Sequence, residues 1–214
     1  MKIVAYNGSP RKNWNTATLL KNVLEGAASK GADTKLVHLY DLNYRGCTSC
    51  FACKLKSGKN YGKCAMQDDL SLVLNEFQEA DGVVFGSPIY FGNVTGELRS
   101  FFERLWFPYL IYTKKKERSL LKKSIKTLFV YTMNAPKEAV KEMQLDKQLS
   151  GNERICQMLF KGESTSYFCT ETLQFNDYSK YVSDMFHVEE RINRRKEVFP
   201  QQQKELYTLG MNFV

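Results

Sequence analysis

The sequence predicts an α/β fold in which helices cover both faces of a parallel sheet. Short apolar runs alternate along the chain with longer segments whose apolar residues recur at helical intervals. The run Val83-Val84-Phe85 is continuously apolar, as strands buried on both faces are. With 214 residues, the chain suits one domain over 1–214, with a cysteine-containing loop at about 44–66 and a C-terminal helical extension.

Strands and helices are predicted in strict alternation. The first apolar run leads through a turn-rich segment into a helix whose apolar positions lie on one face, and Gly31 is a plausible stop for that helix. The predicted strands are Lys2–Tyr6, Thr34–Leu39, Gly82–Gly86, Ile125–Tyr131 and Ser166–Phe175. The predicted helices are Thr16–Lys30, Asp68–Ala80, Thr95–Phe107 (ended before Pro108), Pro136–Phe160 and Val188–Leu209.

Composition narrows the class of protein. An apolar fraction of 43% is too high for a disordered chain, and the net charge is +8. The lysine-rich segment 112–126 lacks interleaved stacking aromatics, so we expect a solvated loop there and no nucleic-acid partner. No apolar run approaches the ~20 residues of a membrane helix, and no signal peptide is evident. We therefore expect a cytoplasmic protein with reduced cysteines and no membrane span.

The loop after the first strand has the features of a phosphate site. Gly8–Arg11 leads into a helix whose N-terminal N–H groups and dipole attract anions. Ser9, Asn15 and Thr16 offer polar side chains, and Arg11 offers a fork-shaped cation. The run is neither a dinucleotide fingerprint nor a Walker loop, so a single phosphomonoester suits it better. An ordinary polar turn with a helix cap at Asn15 or Thr16 is the alternative.

Two further loops follow neighbouring predicted strands. Gly86–Asn93 contains an aromatic pair and two glycines, and it can pack on a planar ring. Tyr131–Asn134 follows the next strand along the chain. Because ligands bind beyond the carboxyl ends of parallel strands, these loops predict a phosphate cradle, a ring platform and polar contacts at one edge of the sheet.

The runs Gly8–Arg11, Asn15-Thr16 and Gly86–Tyr90 resemble those of the flavodoxin-like NAD(P)H-dependent FMN reductases, and most of all their iron–sulfur flavoprotein branch. The resemblance covers roughly residues 1–135. It implies a flavodoxin-like three-layer sandwich with five parallel strands in the order 2-1-3-4-5. It also implies FMN at the three loops, NAD(P)H as transient reductant, and a homodimer or tetramer with FMN near the interface. The implied cofactor-binding residues are Ser9, Arg11, Asn15, Thr16, Ala17, Pro88, Ile89, Tyr90, Phe91, Gly92, Thr132 and Asn134.

Four cysteines form a second pattern. Cys47, Cys50 and Cys53 are separated by two-residue gaps, and Cys64 can return on a loop. The spacing allows a [4Fe–4S] cluster, a zinc ion, or free thiols, either inert or redox-active. It resembles the cysteine motif of the iron–sulfur flavoproteins, although the last gap of ten residues is longer than that branch usually shows.

The remaining cysteines and histidines predict no catalytic site. Cys156 and Cys169 fall in helix and strand segments and are expected to be buried, and His38 and His187 are expected to be structural. No catalytic side chain is therefore assigned, because a flavin carries its own chemistry.

Two functions stay open on the sequence. The first is an enzyme that passes electrons from NAD(P)H to a quinone, a flavin, a nitro or azo compound, or a protein. The second is an iron–sulfur flavoprotein electron carrier or redox sensor that accepts electrons from ferredoxin. The net charge of +8 suits docking to an acidic ferredoxin.

Overall fold

The computed structural model describes residues 1–214 and contains five strands and seven helices. The strands are β1 (Lys2–Asn7), β2 (Asp33–His38), β3 (Gly82–Pro88), β4 (Ile125–Thr132) and β5 (Lys161–Cys169). The helices are α1 (Asn15–Ala28), α2 (Leu70–Phe77), α3 (Gly96–Tyr109), α4 (Lys137–Glu142), α5 (Leu145–Phe160), α6 (Val188–Glu197) and α7 (Phe199–Met211).

The strands form one parallel sheet in the order β2-β1-β3-β4-β5. This confirms the predicted flavodoxin-like fold and its strand order. Because all five strands run in the same direction, their carboxyl ends lie at one edge of the sheet, where this architecture places its ligands.

The sheet separates two apolar cores. Side chains of α1 and α7 cover one face, and α2, α3 and α5 cover the other with an aromatic cluster around Phe85 and Phe102. α1 and α7 approach backbone to backbone: a Cβ on Gly26 or Gly210 would lie 2.0 Å from a carbonyl oxygen of the other helix. No helix combines the length and the apolar character that a membrane crossing requires.

Three predicted boundaries are wrong. α3 continues through Pro108 to Tyr109, because a proline so close to the end of a helix removes a single hydrogen bond. The predicted helix over 136–160 breaks at Gln144, where φ is 53°, and the last predicted helix breaks at Val198, just before Pro200.

The prediction for the fifth strand is the most consequential error. β5 begins at Lys161, directly after α5, and ends at Cys169 instead of Phe175. Gly162 allows the close pairing, since a Cβ there would lie 2.2 Å from the Ile125 carbonyl oxygen. Residues 170–177 leave the sheet and bend over the loop that follows β1.

Candidate functional site

A cavity of about 700 Å³ opens at the carboxyl ends of β1, β3 and β4. We call it the strand-end cavity, and it is lined by residues of segments 9–16, 88–92, 132–145 and 172–181. All the predicted cofactor-binding residues line it except Ala17, whose side chain is fully buried. The structure therefore brings the three predicted loops together around one space.

Buried hydrogen bonds fix the loop after β1. The Ser9 N–H donates to Asn7 Oδ1 (3.1 Å), and the Gly8 N–H donates to the Gly86 carbonyl (2.8 Å). The Thr95 hydroxyl donates to the Gly8 carbonyl (2.7 Å). A Cβ on Gly8 would lie 2.8 Å from the Leu98 Cβ, so the loop needs glycine at this position.

The first turn of α1 faces the strand-end cavity without a side-chain cap. Trp14 is the N-cap residue, and no side chain accepts a hydrogen bond there. Asn15 and Thr16 do not cap the helix: Asn15 Nδ2 donates to the Leu173 carbonyl (2.9 Å), and the Thr16 hydroxyl bonds that of Thr132 (2.8 Å). The predicted helix cap at Asn15 or Thr16 is therefore wrong. The first-turn N–H groups have no partner within the helix, which suits an anionic ligand.

The segment after β5 packs over the loop that follows β1. Arg11 Nη1 donates to the Gln174 carbonyl (2.6 Å), and its guanidinium lies 3.8 Å from the centre of the Trp14 ring. Trp14 Nε1 donates to the Leu173 carbonyl (3.0 Å). Sequence reasoning missed this wall of the cavity because its Thr and Phe content is also typical of a strand.

Two arginines of α6 position predicted site residues. Arg195 Nη1 donates to Asn15 Oδ1 (2.8 Å), and Arg191 Nε donates to Asn134 Oδ1 (2.8 Å). Arg191 is buried and pairs with Glu171 (3.3 Å). The four-residue spacing, which puts both arginines on one helix face, is the only sequence signal that could have identified them.

The loop after β3 forms a tight turn at the mouth of the cavity. Tyr90 and Asn93 exchange backbone hydrogen bonds (2.8 and 3.1 Å), while Phe91 (φ 50°) and Gly92 (φ 82°) occupy the left-handed region. Phe91 is fully exposed at the tip of the turn. The Ile89 N–H donates to the Thr132 carbonyl (2.9 Å), which joins this loop to the end of β4.

The geometry of the strand-end cavity fits FMN. Its volume lies within the ~300–1,000 Å³ that is usual for small-molecule sites. Uncapped helix N–H groups and Arg11 lie at one part of its wall, and the aromatic residues Tyr90, Phe91 and Tyr181 lie at others. This lining offers an anion site, apolar surface and polar groups to one ligand.

The four predicted metal-ligating cysteines, Cys47, Cys50, Cys53 and Cys64, line a second, small cavity of about 20 Å³. None of the four forms a disulfide; Cys50 is exposed and Cys53 is buried. No three His, Cys, Asp or Glu side chains of the chain form a group arranged to hold a metal ion. The cluster, the zinc ion and the free thiols all stay predictions.

α3 anchors the loop that carries these cysteines, residues 44–66, hereafter the cysteine loop. Arg104 is buried; its Nη2 donates to Asp68 Oδ1 (3.0 Å), its Nη1 also pairs with this carboxylate, and its Nε donates to Cys64 Sγ (3.4 Å). Glu103 accepts from the Cys47 N–H (3.1 Å). The ammonium of Lys54 bonds the last carbonyls of α3, including that of Phe107. Sequence reasoning identified none of these anchors, because each joins residues far apart in the chain.

Cys156, Cys169 and His38 behave as expected. Cys156 and Cys169 are fully buried, and burial raises the pKa of the Cys169 thiol to about 12. His38 Nδ1 bonds Asn7 Nδ2 (2.9 Å), and burial lowers the pKa of its imidazole. His38 thus supports Asn7, which accepts from the Ser9 N–H in the loop after β1.

A family model described as NADPH-dependent FMN reductase matches residues 1–156. An iron-sulfur flavoprotein of Archaeoglobus fulgidus is 42% identical over 104 residues, 49% of this chain and 48% of the relative. An iron-sulfur flavoprotein of Methanocaldococcus jannaschii is 36% identical over 104 residues, which are 49% of this chain and 51% of the relative. The match thus spans about half the length of each relative.

Solved structures share the fold. An NAD(P)H:quinone oxidoreductase from Methanothermobacter marburgensis has a TM-score of 0.67 at 14% identity and covers 99% of this chain and 96% of its own. An FMN-dependent NADH-azoreductase from Bacillus anthracis, in complex with FMN, has a TM-score of 0.61 at 12% identity and covers 99% of both chains.

Proposed function

Because the chain belongs to the NADPH-dependent FMN reductase family, we propose that it binds FMN in the strand-end cavity and is an oxidoreductase that uses NADH or NADPH. One observation carries this proposal: an uncapped helix N-terminus, an exposed aromatic turn and polar strand ends all line the same cavity. FMN supplies the redox chemistry when it is bound.

The residues of this chain have binding and orienting roles. The first-turn N–H groups of α1, with Ser9 and Arg11, hold the phosphate. Ile89, Tyr90 and the backbone of Phe91–Gly92 orient the ring. Arg191 and Arg195 keep the two amide side chains at Asn134 and Asn15 in place. No side chain is assigned as a general acid or base, and the open mouth leaves space for an electron acceptor.

The acceptor in this proposal is a quinone, a free flavin, a nitro or azo compound, or a protein. The fold shared with a quinone oxidoreductase and azoreductases supports the small-molecule classes. Phe91 is fully exposed at the cavity mouth and the adjacent Tyr90 is 48% exposed, and this contiguous aromatic surface supports a homo-oligomer with FMN near the subunit interface.

Anaerobic reduction tests the proposed function. FMN-loaded protein is mixed with NADPH or NADH in a stopped-flow instrument, and absorbance near 450 nm is followed on the order of seconds, the scale of ordinary turnover. Rapid bleaching by either nucleotide is the expected result. Bleaching by reduced ferredoxin alone contradicts the reductase and supports the carrier.

The electron carrier or redox sensor is the second candidate. The four cysteines around one cavity favour it, as do relatives named iron-sulfur flavoprotein. In this proposal Cys47, Cys50, Cys53 and Cys64 hold a [4Fe–4S] cluster. Protein purified without oxygen is then expected to contain iron and sulfide, and Cys50→Ser to lose the broad visible absorbance while keeping the flavin peaks. Iron-free wild-type protein contradicts the cluster.

A further inference from the structure

One wall of the strand-end cavity has no part in the proposed binding of FMN. The residues assigned to FMN lie in segments 9–16, 88–92 and 132–134, whereas segment 172–181 also lines the cavity. The family model matches residues 1–156, so this segment lies outside the matched region. We call segment 172–181 the unassigned wall, and its side chains are available to a second ligand of the cavity.

Hydrogen bonds fix the unassigned wall to the end of β4 and to its own turn. The Thr172 N–H donates to the Met133 carbonyl (3.0 Å), and Asn134 Nδ2 donates to Gln174 Oε1 (3.0 Å). The Gln174 N–H donates to the hydroxyl of Tyr178, which is buried (3.0 Å). A wall held in this way binds a ligand without a large cost of ordering.

Two aromatic rings of the unassigned wall form a stack. The ring centres of Phe175 and Tyr181 are 4.1 Å apart, and the ring planes differ by 14°. Tyr178 packs edge-on against Phe175 (5.2 Å, 76°). Tyr181 lines the cavity and is 53% exposed. Because Phe175 covers only one face of the Tyr181 ring, the other face is free to stack on a flat ligand.

A cation lies beside this stack. Lys180 also lines the cavity, and its side chain is 73% exposed. Its ion pair with Asp177 is loose (3.6 Å), and the Asp177 carboxylate already accepts from the N–H and the hydroxyl of Ser179 (3.1 and 2.6 Å). An exposed pair of this kind is weak, so the Lys180 ammonium can bond an oxygen of a ligand.

We propose that Tyr181 is a specificity-determining residue that selects planar quinones as electron acceptors. The quinone ring stacks on the Tyr181 ring, which Phe175 supports, and the Lys180 ammonium bonds a quinone oxygen that gains negative charge on reduction. This inference rests on the proposed function and narrows its acceptor to one class. The quinone gains two electrons and one proton from NADH or NADPH through the bound flavin and a second proton from water, and it leaves as the hydroquinone.

Re-oxidation of the reduced protein tests this proposal without a nicotinamide. FMN-loaded protein is reduced with stoichiometric dithionite and mixed with menadione, a naphthoquinone, in an anaerobic stopped-flow instrument. We expect Tyr181→Ala to raise the apparent dissociation constant of menadione about five- to tenfold and to change the limiting rate less than about twofold, because only a binding contact is lost. Tyr181→Phe keeps the ring and is expected to behave like the wild type.

The same variants are compared with ferricyanide, an acceptor that has no ring to stack. We expect re-oxidation by ferricyanide to be unchanged in Tyr181→Ala. Tyr112→Ala is the matched control, since Tyr112 is an exposed tyrosine that does not line the cavity, and it is expected to change neither acceptor. Lys180→Met is expected to raise the menadione constant about threefold, as loss of one exposed charged contact does.

Equal menadione constants in Tyr181→Ala and Tyr112→Ala would overturn the proposal, as would an equal loss with ferricyanide. A loss of FMN affinity in Tyr181→Ala would also overturn it, because the ring then holds the cofactor. Should this variant fail to fold, Tyr181→Leu gives the same comparison. A wild type that does not bind FMN, or whose flavin is not bleached by either nucleotide, contradicts the proposed function instead.

Discussion

The strand-end cavity and the cysteine loop are held in different ways. The cavity lies where strands end, and backbone hydrogen bonds from Gly8, Ile89 and Tyr90 fix its loops to the sheet or to themselves. The cysteine loop has no strand partner and depends on side chains of α3, chiefly Arg104. The sheet topology determines the position of the cavity loops, whereas a few long-range side-chain contacts determine the position of the cysteine loop.

Loss of the Arg104 partner is expected to have the largest effect. Asp68→Asn leaves a buried guanidinium without a counter-charge, which we expect to cost about 3 kcal/mol in the free energy of unfolding. The affinity for FMN is expected to stay unchanged, because Asp68 does not line the strand-end cavity. Urea denaturation and FMN titration measure the two quantities.

Asp69→Asn is the matched control for Asp68→Asn. Asp69 is exposed and accepts only from the Asn43 N–H (2.8 Å), which an asparagine oxygen can also bond. Equal destabilisation by the two variants would show that the buried pair does not hold the cysteine loop. The proposed difference between the two regions, backbone hydrogen bonds in one and side-chain anchors in the other, would then be wrong.

Arg11→Ala tests the strand-end cavity and is expected to have the reverse pattern of Asp68→Asn, with lower FMN affinity and nearly unchanged stability. We expect FMN binding to weaken by about 1.5–3 kcal/mol, the usual value for hydrogen bonds to charged groups, with little change in stability. Lys12→Ala is the control, since Lys12 pairs with Asp41 and does not line the cavity. FMN titration that finds the two variants alike would contradict the phosphate-loop assignment.

The sequence predicted the parts of the molecule that local patterns determine. The three loops at strand ends follow from periodicity and from the residue types in Gly8–Arg11 and Gly86–Asn93, and the strand order followed from the family resemblance. The contacts of Leu173, Arg195 and Arg104 were not predictable, because each joins residues far apart in the chain. The strand-forming composition of residues 170–175 predicted that they belong to the sheet. In the structure they lie outside it, because the carbonyls of Leu173 and Gln174 accept hydrogen bonds from the side chains of Asn15 and Arg11.

Arg195→Met tests whether α6 positions Asn15 in the strand-end cavity. The variant removes the hydrogen-bond donor to Asn15 Oδ1. Because Asn15 is then less firmly held, we expect the free energy of FMN binding to weaken by about 1 kcal/mol. Lys196→Met changes the exposed neighbour and is expected to leave affinity unaltered. If fluorescence titration shows no difference between them, α6 has no positioning role.

Two glycine substitutions give the smallest effects, and they have opposite signs. Gly92→Ala places a side chain at φ 82° and is expected to destabilise by about 1 kcal/mol. Gly151→Ala, in α5 with no atom within 4 Å of its Cβ position, is expected to stabilise by about 0.5–1 kcal/mol. Thermal unfolding measures both, and stabilisation by Gly92→Ala would contradict the tight turn at the cavity mouth.

The proposed role of the loop after β1 is to bind the phosphate of FMN, and comparison of FMN with riboflavin tests this role most directly. The two ligands share the ring and differ in the phosphate. We expect FMN to bind the apoprotein at least about 100-fold more tightly than riboflavin, the equivalent of two charge-assisted hydrogen bonds. Equal dissociation constants in paired fluorescence titrations would contradict phosphate binding by this loop.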